Sequence, residues 1–186
     1  MGFVALAIED GILQELADLP DSAALVRIAL RLLFAAALGG MLGFERERLG
    51  KEAGLRTHML VALGAALFMV LGQQLASSSA DLSRVIQGVV VGIGFLGSGA
   101  ILKLREDHRI EGLTTAAGIW FTAAVGMTVG SGRIVTALVG SILAFLILVA
   151  LRPIESRMRA SVARDGQNHE QHADVQQAFH QIGSKN

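Results

Sequence analysis

Five long apolar runs constrain the fold of this chain more than any other feature. They cover approximately residues 25–44, 58–76, 85–102, 113–130 and 134–151, with few charges inside them. At about 1.5 Å per residue, a helix over each run is long enough to cross a hydrocarbon core of roughly 30 Å. Hydrophobic residues make up 52% of the chain, and the mean hydropathy is +0.54. We therefore predict an all-α integral membrane protein, a bundle of about five transmembrane helices.

The basic residues between the runs predict how the chain is threaded. They concentrate after the first run, after the third run and at the start of the tail: Arg46, Arg48, Lys51 and Arg56; Lys103, Arg105 and Arg109; Arg152, Arg157, Arg159 and Arg164. The two other connections carry only Arg84 and Arg133. Because cytoplasmic loops are enriched in Lys and Arg, we expect the N-terminus outside and the C-terminus in the cytoplasm.

Three regions follow from this threading. Residues 1–24 form an acidic external segment without Lys or Arg, which is not the pattern of a secretory signal peptide. Residues 25–151 form the transmembrane domain. Residues 152–186 form a cytoplasmic tail, first basic and then polar, that is too short for a conventional independent domain.

The composition argues against several classes of function. There is no cysteine, which excludes disulfides and thiol nucleophiles, and the 16 basic residues balance 16 acidic ones, so no net field points toward nucleic acid. The last four runs contain no Asp or Glu, although proton relays and cation carriers usually need such residues inside the membrane. The stretch "GFERERLGKE" lacks the glycine spacing of a P-loop. We expect no enzymatic activity, no cofactor and no metal site.

The third run contains "GIGFLGSG", residues 92–99. Gly92, Gly94 and Gly97 match the dinucleotide-binding spacing, but that motif needs a preceding strand, which an apolar membrane run does not provide. One interpretation is a flexible or broken helix that lines a cavity, as in transporters. The other, which we favour, is helix packing through Gly92, Gly94, Gly97 and Gly99 against the fourth run.

The fourth run carries a small residue at every fourth position: Thr114, Gly118, Thr122, Gly126 and Gly130. Such a ladder allows another helix backbone to approach closely, so Gly118 and Gly126 are predicted packing positions. The partner helix can belong to the same chain or to a second copy. The ladder suggests a homo-oligomer, most simply a homodimer.

The densest charge cluster, "GFERERLGKEAGLRTH" at residues 43–58, has two interpretations. The first is a cytoplasmic loop whose cations only anchor the topology. The second is an electropositive cup at the N-termini of the second and fourth helices, with Thr57 and Thr114 as N-caps and Glu45 and Glu47 fixing the arginines. The cup would bind an anion, an anionic lipid headgroup or an acidic partner segment. Its predicted members are Glu45, Arg46, Lys51, Arg56, Thr57, His58, Lys103, Thr114 and Thr115.

Arg31 lies inside the first run, one helical turn beyond Arg27. We expect it either to extend toward the outer headgroups or to pair with Asp81 or with the side-chain amide of Gln73 or Gln87.

Three segments, "GFERERLGKEAGLRTHMLVALGAALFM" (43–69), "RVIQGVVVGIGFLGSGAILK" (84–103) and "GLTTAAGIWFTAAVGMTVG" (112–130), closely resemble the membrane domain of the MgtC/SapB family of bacterial inner-membrane proteins. The resemblance covers about residues 25–150. The tail leaves no room for the ACT-like domain of the best-known virulence member, so the chain looks more like the short SapB-type branch.

This resemblance implies a multi-pass protein of the bacterial inner membrane with a role under magnesium limitation or acid stress, or in the intracellular survival of pathogens. It also implies a membrane-protein partner, since some members are described as inhibitors of the F-type ATP synthase. We expect a non-enzymatic regulatory or binding protein. The alternative is a transporter of magnesium, another cation or a small solute.

Overall fold

The computed structural model describes residues 21–103 and 110–153, with the backbone alone for residues 102–103 and 110–111. Its elements are α1 (Ser22–Arg48), α2 (Leu55–Leu75), α3 (Ser79–Gly99), β1 (Leu102–Lys103), β2 (Ile110–Glu111), α4 (Leu113–Gly130) and α5 (Ile134–Ala150). The two short strands pair antiparallel between α3 and α4. The described part of the chain divides into two compact units between residues 141 and 142, and the site described below lies in the first.

The helices confirm the all-α membrane bundle. Four of them, α1 to α4, are each long and apolar enough to cross a membrane, whereas α5 is a shorter apolar helix of 17 residues. Large apolar side chains point outward, among them Phe95 at 82% and Val91 at 74% exposure. Because that surface would be unfavourable in water, it fits a lipid environment.

Two helices extend beyond their predicted apolar runs for identifiable reasons. The last turn of α1 includes Glu45 and Arg46, whose side chains are buried in the bundle rather than solvated in a loop. Helix α3 begins at Ser79, because the Ser78 hydroxyl accepts a hydrogen bond from the backbone N–H of Asp81 (3.3 Å) and so caps the helix. Both of these helix ends consist largely of charged and polar residues, so the apolar runs did not include them.

Close backbone contacts join α1, α2 and α4. A Cβ added at Gly39 would stand 2.6 Å from the backbone oxygen of His58, and one added at Gly130 would stand 2.6 Å from that of Ala66. A Cβ at Gly126 would overlap the backbone oxygen of Ala62. These three glycines therefore let α1 and α4 lie directly on the backbone of α2.

This arrangement corrects the expected use of the small-residue ladder. Gly126 and Gly130 lie against α2 of the same chain. A second copy therefore cannot pack on this face, and the homodimer predicted from it loses its basis.

The glycines of α3 also behave differently from the expectation. Helix α3 is continuous from Ser79 to Gly99. Gly97 is buried, and a Cβ added to it would lie 3.6 Å from the backbone oxygen of Ala116 on α4. At Gly92, Gly94 and Gly99, a Cβ would meet no atom of the described residues within 4 Å. The predicted packing against α4 is therefore wrong for these three, because no described atom of α4 lies within contact distance of their Cβ positions.

Two ends of the bundle can be distinguished by their contacts. At one end, the C-termini of α1 and α3 meet the N-termini of α2 and α4; we call this the Arg46 end. Its turn into α4 depends on Gly112, which has a φ of 89°, and a Cβ there would overlap the backbone oxygen of Ala100. The other end, which we call the Arg31 end, holds the C-termini of α2 and α4.

Candidate functional site

The turn from α1 to α2 is short and tightly bonded. The backbone N–H of Gly50 donates to the oxygen of Glu47 (2.9 Å), and that of Lys51 donates to the oxygen of Arg46 (3.1 Å). Gly50 adopts a φ of 62°, which favours glycine. The Glu47 carboxylate then accepts from the backbone N–H of Leu55 at 2.8 Å and so caps α2. The loop of residues 49–54 is thus held at both of its ends.

Glu47 takes the place of the cap predicted for α2, and no side-chain cap is present on α4. The N-cap residues of α2 and α4 are Gly54 and Gly112, which have no side chain to accept a hydrogen bond from the first turn of the helix. Thr57 and Thr114 lie inside the first turns, so the prediction that they are N-caps is wrong. Their sequence positions were plausible because the glycines before them offer no side-chain oxygen.

Four polar side chains are buried in the last turn of α1 and the first turns of α2 and α4. We call them the Arg46 cluster: Glu45, Arg46, His58 and Thr115. Arg46 is only 5% exposed, and its Nη2 donates to Thr115 Oγ1 at 2.5 Å. This bond ties the last turn of α1 to the first turn of α4 across 69 positions of sequence. Hydrogen bonds to a charged group are among the stronger ones in proteins.

His58 is the most buried member of the cluster, at 1% exposure. Its Nδ1 lies 2.9 Å from the backbone oxygen of Gly54 and donates to it, because a carbonyl oxygen can only accept. Its Nε2 lies 3.4 Å from the position of a Cβ on Gly118 of α4. A Cβ added to Gly43 of α1 would lie 2.9 Å from the Cβ of His58. Small residues on both neighbouring helices therefore make room for the imidazole.

The predicted cup is divided by the structure. Glu45, Arg46, His58 and Thr115 are buried between helices, so they do not line an open cup. Lys51, Arg56 and Thr114 are exposed, and Thr57 is half-buried. Lys103 lies in β1, and its side chain lies outside the described residues. The reason for the correction is the glycine-mediated approach of α1 to α2, which closes the space that a cup would need.

At the opposite end of the bundle, Arg31 pairs with Gln73, one of its three predicted partners. Its Nη1 donates to Gln73 Oε1 at 3.2 Å and to the backbone oxygen of Gly130 at 3.0 Å. Gln73 in turn donates to the oxygen of Ser131 at 3.4 Å. Asp81, by contrast, pairs with Arg84 at 2.9 Å. Polar contacts therefore join α1, α2 and α4 at both ends.

Within residues 21–103 and 110–153, no group of three or more His, Asp or Glu residues is placed to hold a metal ion.

Comparison with known proteins decides the family. Residues 32–157 match the sequence model of the MgtC family. The chain belongs to the MgtC family. This match confirms the resemblance seen in the three sequence segments and makes the protein a multi-pass member of a membrane family.

Several relatives of the MgtC family are about 40% identical to this chain. "Putative magnesium transporter YhiD" of Escherichia coli K12 is 42% identical over 136 residues, which cover 69% of this chain and 62% of the relative. "Protein MgtC" of Brucella abortus is 42% identical over 142 residues, covering 76% and 58%. "Protein SrpB" of Synechococcus elongatus is 40% identical over 139 residues, covering 69% and 76%. The matched part of the chain thus spans about 60% of the first two relatives, and no solved structure matches it.

Proposed function

We propose that this chain is a non-enzymatic regulatory protein of the bacterial inner membrane that acts by binding a protein partner at the Arg46 end. The family's association with magnesium, visible in one relative's name, supports a role in adaptation to magnesium limitation. The family resemblance extends that role to acid stress and intracellular survival. It also makes a membrane complex such as the F-type ATP synthase the candidate partner.

The observation that carries this proposal is the closed centre of the α1–α2–α4 bundle. Between the polar contacts of its two ends, Ala35, Ala62 and Ala66 are 0% exposed. The hydroxyl of Thr122, also fully buried, donates to the oxygen of Gly118 at 2.8 Å and so bonds within its own helix. Direct backbone packing fills the interface, which supports a rigid bundle that can present the exposed polar loop at its Arg46 end in a fixed position.

The loop of residues 49–54 provides that surface. Lys51 and Glu52 are exposed, and the backbone beneath them is fixed by the bonds to Arg46, Glu47 and Leu55. A surface that is already ordered loses little conformational entropy when it binds. The Arg46 cluster therefore serves to hold a charged, preorganised loop toward a partner.

Reversing one exposed charge in this loop tests the proposal. We expect Lys51→Glu to weaken partner binding about tenfold or more, because complementary charges across an interface become opposed. The measurements are growth of a strain lacking the gene at limiting magnesium, and recovery of the native complex from its membranes. With the variant present in membranes at the normal level, growth should be impaired and the complex should not be recovered.

Arg133→Glu is the matched control for that experiment, since Arg133 is an exposed cation at the Arg31 end. It should support growth like the unmodified protein. Equal growth with both variants would contradict a partner surface at residues 49–54.

A transporter of magnesium is the second candidate function, favoured by the name of the Escherichia coli relative. It differs from the first in requiring net passage of the ion across the bilayer.

A further inference from the structure

A groove runs between α2 and α3, and no residue of the loop of residues 49–54 lines it. It encloses about 870 Å³, and Ala123 of α4 forms part of its floor. Along α2 it extends from Arg56 to Phe68. At about 1.5 Å per residue this is roughly 18 Å, close to one leaflet of a hydrocarbon core of about 30 Å.

Three glycines keep this groove open. At Gly64, Gly88 and Gly92, an added Cβ would meet no described atom within 4 Å. They differ in this respect from Gly39 and Gly126, whose missing side chains are replaced by a neighbouring helix. Glycine costs a helix about 1 kcal/mol relative to alanine in water, so three of them along one groove need a reason other than packing within the chain.

The groove is apolar along its length and cationic at one end. Of the described residues that line it, Arg56 is the only charged one, and Thr57 beside it offers a hydroxyl. Arg56 is exposed and makes no ion pair within the described part of the chain. It lies at the Arg46 end, where the basic loops are expected to face the cytoplasmic leaflet and its anionic lipids.

We propose that this groove binds one anionic phospholipid, with its phosphate at Arg56 and Thr57 and one acyl chain along Gly64, Gly88 and Gly92. The leaflet-length apolar wall matches the acyl chain, and the single cation at its mouth matches the headgroup. This proposal does not depend on the partner surface at residues 49–54.

Charge complementarity favours a phospholipid over α2, α3, α4 or α5 of a second copy. Helices α2, α4 and α5 contain no carboxylate, and α3 contains only Asp81, which is near its first turn and is paired with Arg84. These helices of a second chain would therefore leave Arg56 without an acidic partner, whereas the phosphate of a lipid supplies one.

Native mass spectrometry of the detergent-solubilised protein tests this site. The probes are phosphatidylglycerol and phosphatidylcholine with identical acyl chains. We expect one phosphatidylglycerol to be retained per chain, with an affinity about fivefold above that of phosphatidylcholine, because a surface cation contributes roughly that factor. Arg56→Gln should remove the preference, and Gly92→Leu should remove retention of both lipids by filling the groove.

Matched controls separate this result from general loss of charge or structure. Arg48→Gln removes an exposed cation that stacks on Phe44, 5.7 Å from the ring centre, and does not line the groove. Gly99→Leu adds a side chain at an open position of α3 outside the groove. Both should retain phosphatidylglycerol like the unmodified protein. Equal retention of the two lipids by the unmodified protein, or unchanged retention in Gly92→Leu, would overturn the site. The site would also be overturned if the unmodified protein formed a dimer that Gly92→Leu dissociated without changing lipid retention.

Discussion

Replacing Gly126 by alanine should strongly destabilise the bundle, whereas replacing Gly92 by alanine should leave its stability unchanged. The added methyl group at Gly126 would overlap the backbone oxygen of Ala62, which no side-chain rotation can move away. Helices α2 and α4 would have to separate and lose their contact over several turns. Overpacking typically costs about 1–3 kcal/mol and sometimes more, and a clash with backbone belongs at the upper end.

Thermal unfolding in mild detergent measures this difference. For Gly126→Ala we expect a midpoint at least about 5 °C lower, or a protein that does not accumulate in membranes. Gly92→Ala is the matched control, because a Cβ there meets no described atom within 4 Å and alanine favours the helix. A Gly126→Ala protein as stable as Gly92→Ala would show that α2 and α4 are not in backbone contact.

Thr115→Val has the second large expected effect. Valine keeps the shape of threonine but removes the oxygen that accepts from Arg46, whose guanidinium is buried. Losing a hydrogen bond to a charged group costs about 1.5–3 kcal/mol, so the unfolding midpoint should fall by several degrees. We also expect weaker growth at limiting magnesium, because the loop of residues 49–54 is held by the same turn of α1.

Thr114→Val provides the neighbouring control. Thr114 is exposed and precedes the buried threonine by one position, so its substitution should change stability by less than about 0.5 kcal/mol. Equal, small effects of the two valines would mean that the Arg46–Thr115 bond does not stabilise the junction of α1 and α4.

The helices could be predicted well from the sequence because membrane spans are recognised by their length and hydrophobicity. Each of the five apolar runs became a helix, and the pairing of Arg31 with Gln73 was among the expected alternatives. An arginine inside a span needs a polar partner near the same depth, and few residues could supply it. Depth in the bilayer, unlike position in a soluble core, can be estimated by counting along the runs.

The faces of those helices could not be predicted in the same way. Lipid and helix interior are both apolar, so the residue pattern does not show which side of α3 or α4 meets a neighbour. Gly126 and Gly92 look alike in the sequence, but the first lies on a backbone and the second lines a groove.

The bonds of the Arg46 end had no local signal either. The contact of Arg46 with Thr115 spans 69 positions, and the Glu47 carboxylate caps a helix that begins eight residues later. Both depend on how closely α1 approaches its neighbours, which the charges in "GFERERLGKEAGLRTH" do not specify. For the same reason an open cup was expected where the helices enclose Glu45, Arg46, His58 and Thr115.

Magnesium flux through the purified protein tests most directly whether the closed bundle binds rather than conducts. The protein would be reconstituted into phosphatidylglycerol-containing vesicles that enclose a magnesium-sensitive dye, with protein-free vesicles and heat-unfolded protein as controls. We predict magnesium entry no faster than in the protein-free vesicles. The protein used should be one whose gene restores growth at limiting magnesium. Saturable entry that exceeds both controls and is lost on heat unfolding would contradict a binding function and establish the transporter.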